Sequence, residues 1–216
     1  MAKKIIFIGG GQHAILLAEK ILENKQGHIL GFIDKQPIEL PPFIKDCGAA
    51  YLGADDMIEQ LKKDGVFHLA LGASLMGVRQ KLIVRMKKMA LSLISIVHQS
   101  AYCSPSARIG DGVALLINTV VHTNASIGHH TCINTGAIVE HDCRVGENVF
   151  LQPRSVLAGG VRVGDNSVIG IGASVREGVS IGKNCLIGGG AFVCEDIPDH
   201  SLAYGVPAKV VEKSPF

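Results

Sequence analysis

Residues 109–145 read IGDGVALLINTVVHTNASIGHHTCINTGAIVEHDCRV, and every sixth letter is aliphatic. The series runs Ile109, Leu115, Val121, Ile127, Ile133, Val139, Val145, Leu151, Leu157, Val163, Ile169, Val175, Ile181, Ile187, Val193. Every third member is followed by glycine: Gly110, Gly128, Gly146, Gly164 and Gly182 stand 18 residues apart. An α-helix needs a 3.6-residue period and an ordinary strand a period of two, so neither accounts for six nested in 18. The pattern predicts a parallel β-helix of three short strands per coil. With strands ~4.8 Å apart, five coils make a prism roughly 24 Å tall.

Two residues before each aliphatic anchor the side chain again faces inward, and these positions hold small residues such as Ala125, Ala137, Cys143, Ser155 and Ser167. Residues 18 apart stack. The first corner collects turn-formers: Asp111-Gly112, His129-His130, Glu147-Asn148, Asp165-Asn166 and Lys183-Asn184. The third corner reads His122-Thr123-Asn124, Glu140-His141-Asp142, Ala158-Gly159-Gly160, Arg176-Glu177-Gly178. His141 is therefore expected between Thr123 and Gly159, where bare glycines leave room for a ligand. Glu140 or Asp142 can orient its ring. A neutral histidine with a carboxylate partner is a general base near neutral pH. The alternative is an exposed corner histidine with no chemistry. His122 is a weaker candidate, one coil away, and His129-His130 weaker still. A metal site from these histidines is not expected, because they occupy different corners.

The first hundred residues differ. Lys3–Ile8 is an apolar strand pattern that stops at Gly9-Gly10-Gly11. A helix follows, with Ile15, Leu16, Ala18, Ile21 and Leu22 on one face and Glu19, Lys20, Glu23 and Lys25 solvated. A strand over Ile29–Ile33 ends at Asp34. Gly9-x-Gly11-x-x-Ala14 in a β-turn-α-β context, with an acidic residue 20 positions on, fits a nucleotide-binding unit. Glycines let the backbone approach a phosphate, and the helix N-terminus offers free N–H groups. Asp34 is placed to accept from ribose hydroxyls, or is a simple turn residue. Further on, Gln36–Asp46 reads as a loop, Asp55–Lys63 as a helix, Val66–Leu71 as a strand and Leu75–Met89 as a helix. That helix has a basic face (Arg79, Lys81, Arg85, Lys87, Lys88) read as solvated. Leu91–Val97 reads as the last strand. Four strands and three helices make half a dinucleotide fold, sized for a nucleotide or nucleotide-sugar. The domains are expected at 1–98 and 99–216.

Composition sets limits. The chain has 216 residues, 47% hydrophobic and 19% charged, with net charge +2. That permits a sizeable core and asks for neither nucleic acid nor membrane. Aromatics are 5% with no Trp, poor material for stacking bases. The start, Met1-Ala2-Lys3-Lys4 and a short apolar run broken by Gly9, is not read as a signal peptide, so a cytoplasmic location is expected. Six cysteines form no Cys-x-x-Cys pair, so no zinc site is expected and they read as small buried hydrophobes.

The hexad series, together with Ile6-Phe7-Ile8-Gly9-Gly10-Gly11-Gln12-His13, Gly31-Phe32-Ile33-Asp34-Lys35, Ala70-Leu71-Gly72, Asn134–Cys143 and the ending Gly205-Val206-Pro207-Ala208-Lys209, resembles the hexapeptide-repeat sugar acyltransferases. It is most similar to the sialic-acid O-acetyltransferase and UDP-4-amino-sugar N-acetyltransferase group. The resemblance implies an α/β Rossmann-like domain, Gly9 to Gly72 included, followed by a left-handed β-helix. It implies acetyl-CoA-dependent N-acetylation of a UDP-amino-sugar, of the bacillosamine or legionaminic-acid kind, with no metal. The roles implied are His141 as base with Asp142 as its acidic partner, and Asn134 as a polar neighbour. Gly9, Gly10, His13, Asp34, Lys35 and Gly72 would hold the UDP-sugar. Gly159, Ile171 and Gly189 would receive acetyl-CoA, with the tail around Pro207-Ala208-Lys209 nearby. A homotrimer with sites between adjacent prisms is implied. Phe150 stands where relatives often carry a second histidine, Arg154 where glycine is usual, and Lys35 where a second Asp is common. O-acetylation of sialic acid or a related sugar is the sister reading. A non-catalytic trimeric nucleotide-binding scaffold is the alternative class, and an NAD-linked oxidoreductase, resting on the glycine turn alone, is disfavoured by the missing half-sheet.

Overall fold

A computed structural model describes residues 3–216; the Met1-Ala2 end of the N-terminal pattern lies outside the described residues. The chain divides into two compact units, residues 1–96 and 97–216.

The first unit is a four-stranded parallel sheet with helices between the strands. Its elements are β1 (Lys4–Ile8), α1 (Gln12–Glu23), β2 (His28–Ile33), α2 (Pro42–Lys45), β3 (Ala50–Gly53), α3 (Met57–Gln60), β4 (Val66–Leu69) and α4 (Met76–Lys88). The strand order is β3-β2-β1-β4, so β1 is central and its Ile5, Ile6 and Phe7 are wholly buried. The fourth strand is not the expected Leu91–Val97. That segment adds only a single bridge, Leu93 to Phe67, and a two-residue strand at Ile96–Val97. The sheet's fourth full strand is instead Ala-Tyr-Leu-Gly at β3, at the opposite edge, which pairs with β2 across an irregular register. So short a run carries no alternation by which to recognise it. Within the expected loop at 36–46, Pro42 starts α2, because its fixed φ suits a first helical turn.

Helix α1 is rotated from the expected face. Ala14, Leu17, Ala18 and Ile21 are buried, whereas Leu16 is exposed. Lys20, expected in solvent, is buried and bonds Glu23 at 2.7 Å. Likewise Arg79 of α4 is not solvated: it is 2% exposed.

The second unit is a left-handed parallel β-helix, as the spacing and the resemblance together required. Its strands are two residues long and pair with those 18 residues on, as in Ile127 with Val145 and Val145 with Val163. They stack into three parallel sheets, one through Ser126–Ile127, one through Cys132–Ile133 and one through Ile138–Val139. The aliphatic series and the small inward residues form one core along the axis. Each corner turns through a left-handed residue: His130, Asn148, Asn166 and Asn184 at the first, Asn118 and Arg154 at the second, Asn124 and Asp142 at the third, with glycines at other levels. The last coil is two residues shorter, since Leu186 pairs with Leu202. An antiparallel hairpin, Ser201–Gly205 with Ala208–Lys213, then closes the end, and Ala203 and Ala208 plug the core. Closure of this kind covers apolar surface that an open last coil would expose to water.

Candidate active site

The third corner has the arrangement that the stacking requires. The Asp142 N–H donates to the Thr123 carbonyl at 3.0 Å, and the Gly160 N–H to the His141 carbonyl at 2.9 Å. These bonds fix His141 between the coils that carry Thr123 and Gly159. Its Nδ1 lies 2.8 Å from Asp142 Oδ2. The other oxygen, Oδ1, accepts from Asn124 Nδ2 at 3.3 Å, so a residue one coil away steadies the carboxylate. A carboxylate beside Nδ1 favours the tautomer that carries its proton there and leaves the Nε2 lone pair open. Both side chains are exposed. The hydrogen bond to Asp142 is the main cause that raises the His141 pKa above its usual value, and the charges of Asp142, Glu140 and Glu177 add to it. The same bond lowers Asp142. Of the two carboxylates that flank the histidine, Asp142 is thus the one that holds the ring.

The remaining coil residues fall elsewhere. Ile171, 63% exposed, and Gly189 stack on one another at the second corner, where the Gly190 N–H donates to the Ile171 carbonyl at 2.8 Å. Gly159 is at the third. One prism therefore does not bring the three together. Asn134 is also at the second corner, its Oδ1 accepting from the Thr135 N–H at 2.8 Å, so it is not a neighbour of His141 within one prism. Phe150 is buried at 1% exposure, while Arg154 is exposed with φ +59°. His130 is buried, and His129 accepts from the Asp111 N–H at 2.9 Å; these are corner contacts. His122 lies edge-on to the Tyr102 ring, centroids 6.0 Å apart. Among the described residues no group of three or more His, Cys, Asp or Glu is placed to hold a metal ion. All six cysteines are free thiols, and Cys132, Cys143 and Cys185 are buried.

In the first unit a cavity of about 500 Å³ opens at the carboxyl ends of the strands, where open α/β sheets bind ligands. Gly9, His13, Asp34, Lys35 and Gly72 line it, with Gly11, Asp55, Ser74 and the α4 side chains Val78 and Leu82. Gly10 adjoins, its N–H donating to Asp34 Oδ2 at 2.6 Å. The Lys35 N–H takes Asp34 Oδ1 at 2.7 Å. Asp34 thereby ties the glycine turn to the end of β2 through Oδ2, while Oδ1 caps the following N–H. Gly9 must be glycine: its φ is +109°, and a Cβ would meet the Ala70 main chain at 3.2 Å. Gly11 caps α1 through its carbonyl, which accepts from the Ala14 N–H at 2.9 Å, leaving the first-turn N–H groups toward the turn.

Arg79 is the residue that sequence reasoning missed here. Its Nη1 donates to the carbonyls of Leu69 at 3.2 Å and Leu71 at 2.6 Å, and so ties α4 to the end of β4. Burial, with the Arg79 charge second, lowers the His13 pKa to about 4, so its imidazole is neutral at pH 7. The signal was present: Met76, Arg79, Leu82, Ile83 and Met86 recur at helical spacing and are the buried face of α4.

The family described as Bacterial transferase hexapeptide (six repeats) matches residues 124–159, 142–170 and 160–195. No curated protein matches the chain significantly. Among solved structures, a GDP-perosamine N-acetyltransferase from Caulobacter crescentus, a histidine-to-alanine mutant in complex with CoA and GDP-perosamine, is 36% identical over 97% of both chains, with TM-score 0.88. PerB from the same organism, also with CoA and GDP-perosamine, is 37% identical over 97% of both chains, with TM-score 0.88. The acetyltransferase domain of PglB from Neisseria gonorrhoeae is 27% identical over 97% of this chain and 100% of that one, with TM-score 0.89. With identity above 30% across both units and the repeat signature on the coil, the chain belongs to the hexapeptide-repeat, left-handed β-helix family of sugar acetyltransferases.

Proposed function

We propose that this acetyltransferase moves the acetyl group of acetyl-CoA to the 4-amino group of a nucleotide-linked amino sugar, with His141 as general base. The observation that carries the reading is the His141 Nδ1–Asp142 Oδ2 contact of 2.8 Å, which leaves Nε2 open beside a residue with no side chain. The amine attacks the thioester carbonyl, the new C–N bond forms, and the C–S bond breaks. Nε2 accepts the proton that the nitrogen must lose, and returns it to the departing thiolate. Alignment of amine and thioester supplies much of the rate. The base contributes roughly 10²–10⁴-fold.

The cavity of the first unit suits the nucleotide. Its glycine turn and the N-terminus of α1 suit the diphosphate, His13 contributes as a neutral donor or acceptor, and Lys35 adds positive charge. Uridine is the nucleoside that the resemblance implies, whereas the 36% identical relative holds a guanosine-linked sugar. On the coil, Gly159 serves the acetyl end of the donor, and Ile171 and Gly189 serve its length. Because they stand at different corners, this reading requires a homotrimer in which the third corner of one copy meets the second corner of the next. Amine rather than hydroxyl acceptors are favoured by the N-acetyltransferase among the relatives.

The test is His141→Ala beside the unaltered protein, assayed by thiol release with acetyl-CoA and a panel of nucleotide-linked 4-amino sugars and free sialic acid, with light scattering to follow assembly. Loss of most turnover with the trimer intact is expected. Near-normal turnover would overturn the assignment, and activity confined to free sialic acid would replace the amine acceptor with a hydroxyl.

A further inference from the structure

The cavity of the first unit holds two carboxylates, and they are not equivalent. Asp34 already takes two backbone N–H groups on its two oxygens. Asp55 is held differently. Its backbone carbonyl accepts from Arg85 Nη2 at 2.7 Å, and its Oδ2 lies 3.9 Å from Arg85 Nη1. The residue is anchored through its main chain while its side chain stays 37% exposed in the lining of the cavity.

The sheet order says which part of a nucleotide it faces. Strand ends run β4, β1, β2, β3, and they carry in turn Gly72, the glycine turn, Asp34 and Asp55. Neighbouring strands are ~4.8 Å apart, so the end of β3 lies about 10 Å from the glycine turn. A nucleotide laid along this row, with its phosphates at the turn, brings its ribose over Asp34 and its base to Asp55.

The bases differ in what they offer a carboxylate. Guanine presents N1–H and the 2-amino group side by side, two donors matched to two carboxylate oxygens. Uracil presents one N–H between two carbonyl oxygens, and those repel a carboxylate. Adenine and cytosine set a ring acceptor beside their amino group. We infer that Asp55 reads the paired-donor edge of guanine and makes this site selective for a guanosine-diphospho rather than a uridine-diphospho amino sugar. The inference rests on the nucleotide-sugar reading above and deepens it.

Calorimetry on the full chain decides, with GDP, inosine diphosphate and UDP as probes. GDP is expected to bind at least about tenfold tighter than UDP, the size of one good bidentate pair. Inosine diphosphate, which lacks the 2-amino group, falls between. In Asp55→Asn the preference for GDP over UDP collapses toward unity, because GDP loses one of its two acceptors and UDP no longer faces a carboxylate and binds more tightly. UDP binding as tightly as GDP to the unaltered protein, or equal loss of both in the variant, overturns the inference. The wild-type series stands even where the variant folds poorly. Acetylation of UDP-linked amino sugars at the better kcat/KM sinks only the choice of base. Failure of every nucleotide to bind, with turnover on an unlinked amino sugar, sinks the nucleotide-sugar reading along with it.

Discussion

A methyl group placed on Gly159 would stand 2.6 Å from Nε2 of His141, closer than real atoms approach. The absence of a side chain at 159 therefore belongs to the histidine one coil below. Gly159 has no left-handed φ that would itself demand glycine. What it leaves is space in front of the nitrogen that, in the proposed reaction, takes the proton.

Gly159→Ala tests this. His141 is an exposed side chain, so it can swing aside at little cost, and the core beneath is untouched. The melting temperature is expected to move by only about 1 °C, within the range for surface substitutions. The displaced imidazole no longer meets the amine, and kcat/KM should fall by roughly 10²-fold. Full activity with a shifted ring, seen by the His141 NMR signal, would show that the space is not needed.

The Asp142 contact sets a pH dependence. His141 must be neutral to accept a proton, and Asp142 raises its pKa by hydrogen bonding to the protonated ring. The acidic limb of kcat/KM should therefore turn at a pH above the ordinary histidine value of about 6.5. Asp142→Asn removes the charge and the raised pKa. The limb should move to lower pH, while the plateau falls at least about tenfold because the tautomer and ring orientation are no longer held. A limb that stays in place would separate the titration from His141.

Legibility differed between the two units for a physical reason. In the coil each sequence position meets one fixed environment, so six-residue spacing placed His141 against Gly159 without a structure. In the first unit the deciding contacts are long-range. Lys20 and Arg79 look like solvated charges beside Glu23 and Lys81, and only packing buries them. Asp55 reads in the sequence as the first residue of a helix, and its place in the cavity depends on how β3 pairs with β2. Asp34 was legible as the residue that ends β2, but its bond to the Gly10 N–H was not, because it joins residues 24 apart and depends on how the glycine turn packs.

Ser155 offers a stability test inside the coil. It is wholly buried, and its Oγ has no hydrogen-bond partner. Thr131 and Ser167, also buried and inward-facing, are satisfied: Thr131 Oγ1 donates to the Gly146 carbonyl and Ser167 Oγ to that of Gly182, both at 2.8 Å. Burying an unpaired hydroxyl costs about 1–3 kcal/mol. Ser155→Ala should thus stabilise the coil by about 1 kcal/mol, a rise of about 2–4 °C in the melting temperature. Ser167→Ala should do the opposite, leaving the Cys185 N–H, which donates to Ser167 Oγ at 2.9 Å, without its acceptor. Equal effects at the two sites would refute the distinction.

The first unit should lose stability in mild acid, through His68. This residue of β4 is 2% exposed, its Nδ1 lies 2.9 Å from the Ile94 carbonyl, and its ring meets Phe7 edge-on. Burial, aided by the Arg79 and His13 charges, lowers its pKa to about 4. A native pKa below the unfolded value of about 6.5 means that the unfolded chain binds the extra proton first. Stability from this group is complete above about pH 6.5 and is lost as the pH falls toward 4, by roughly 3 kcal/mol in all. Below that the native state takes the proton too, and the slope ends. His68→Gln keeps a donor for the Ile94 carbonyl but cannot titrate. Hydrogen exchange of the β1 and β4 amides at pH 7 and pH 4.5 should show a larger fall in protection for the wild type than for the variant. The carboxylates are common to both proteins, so they cancel in the comparison. Parallel losses in the two would mean that His68 carries its proton in the folded state.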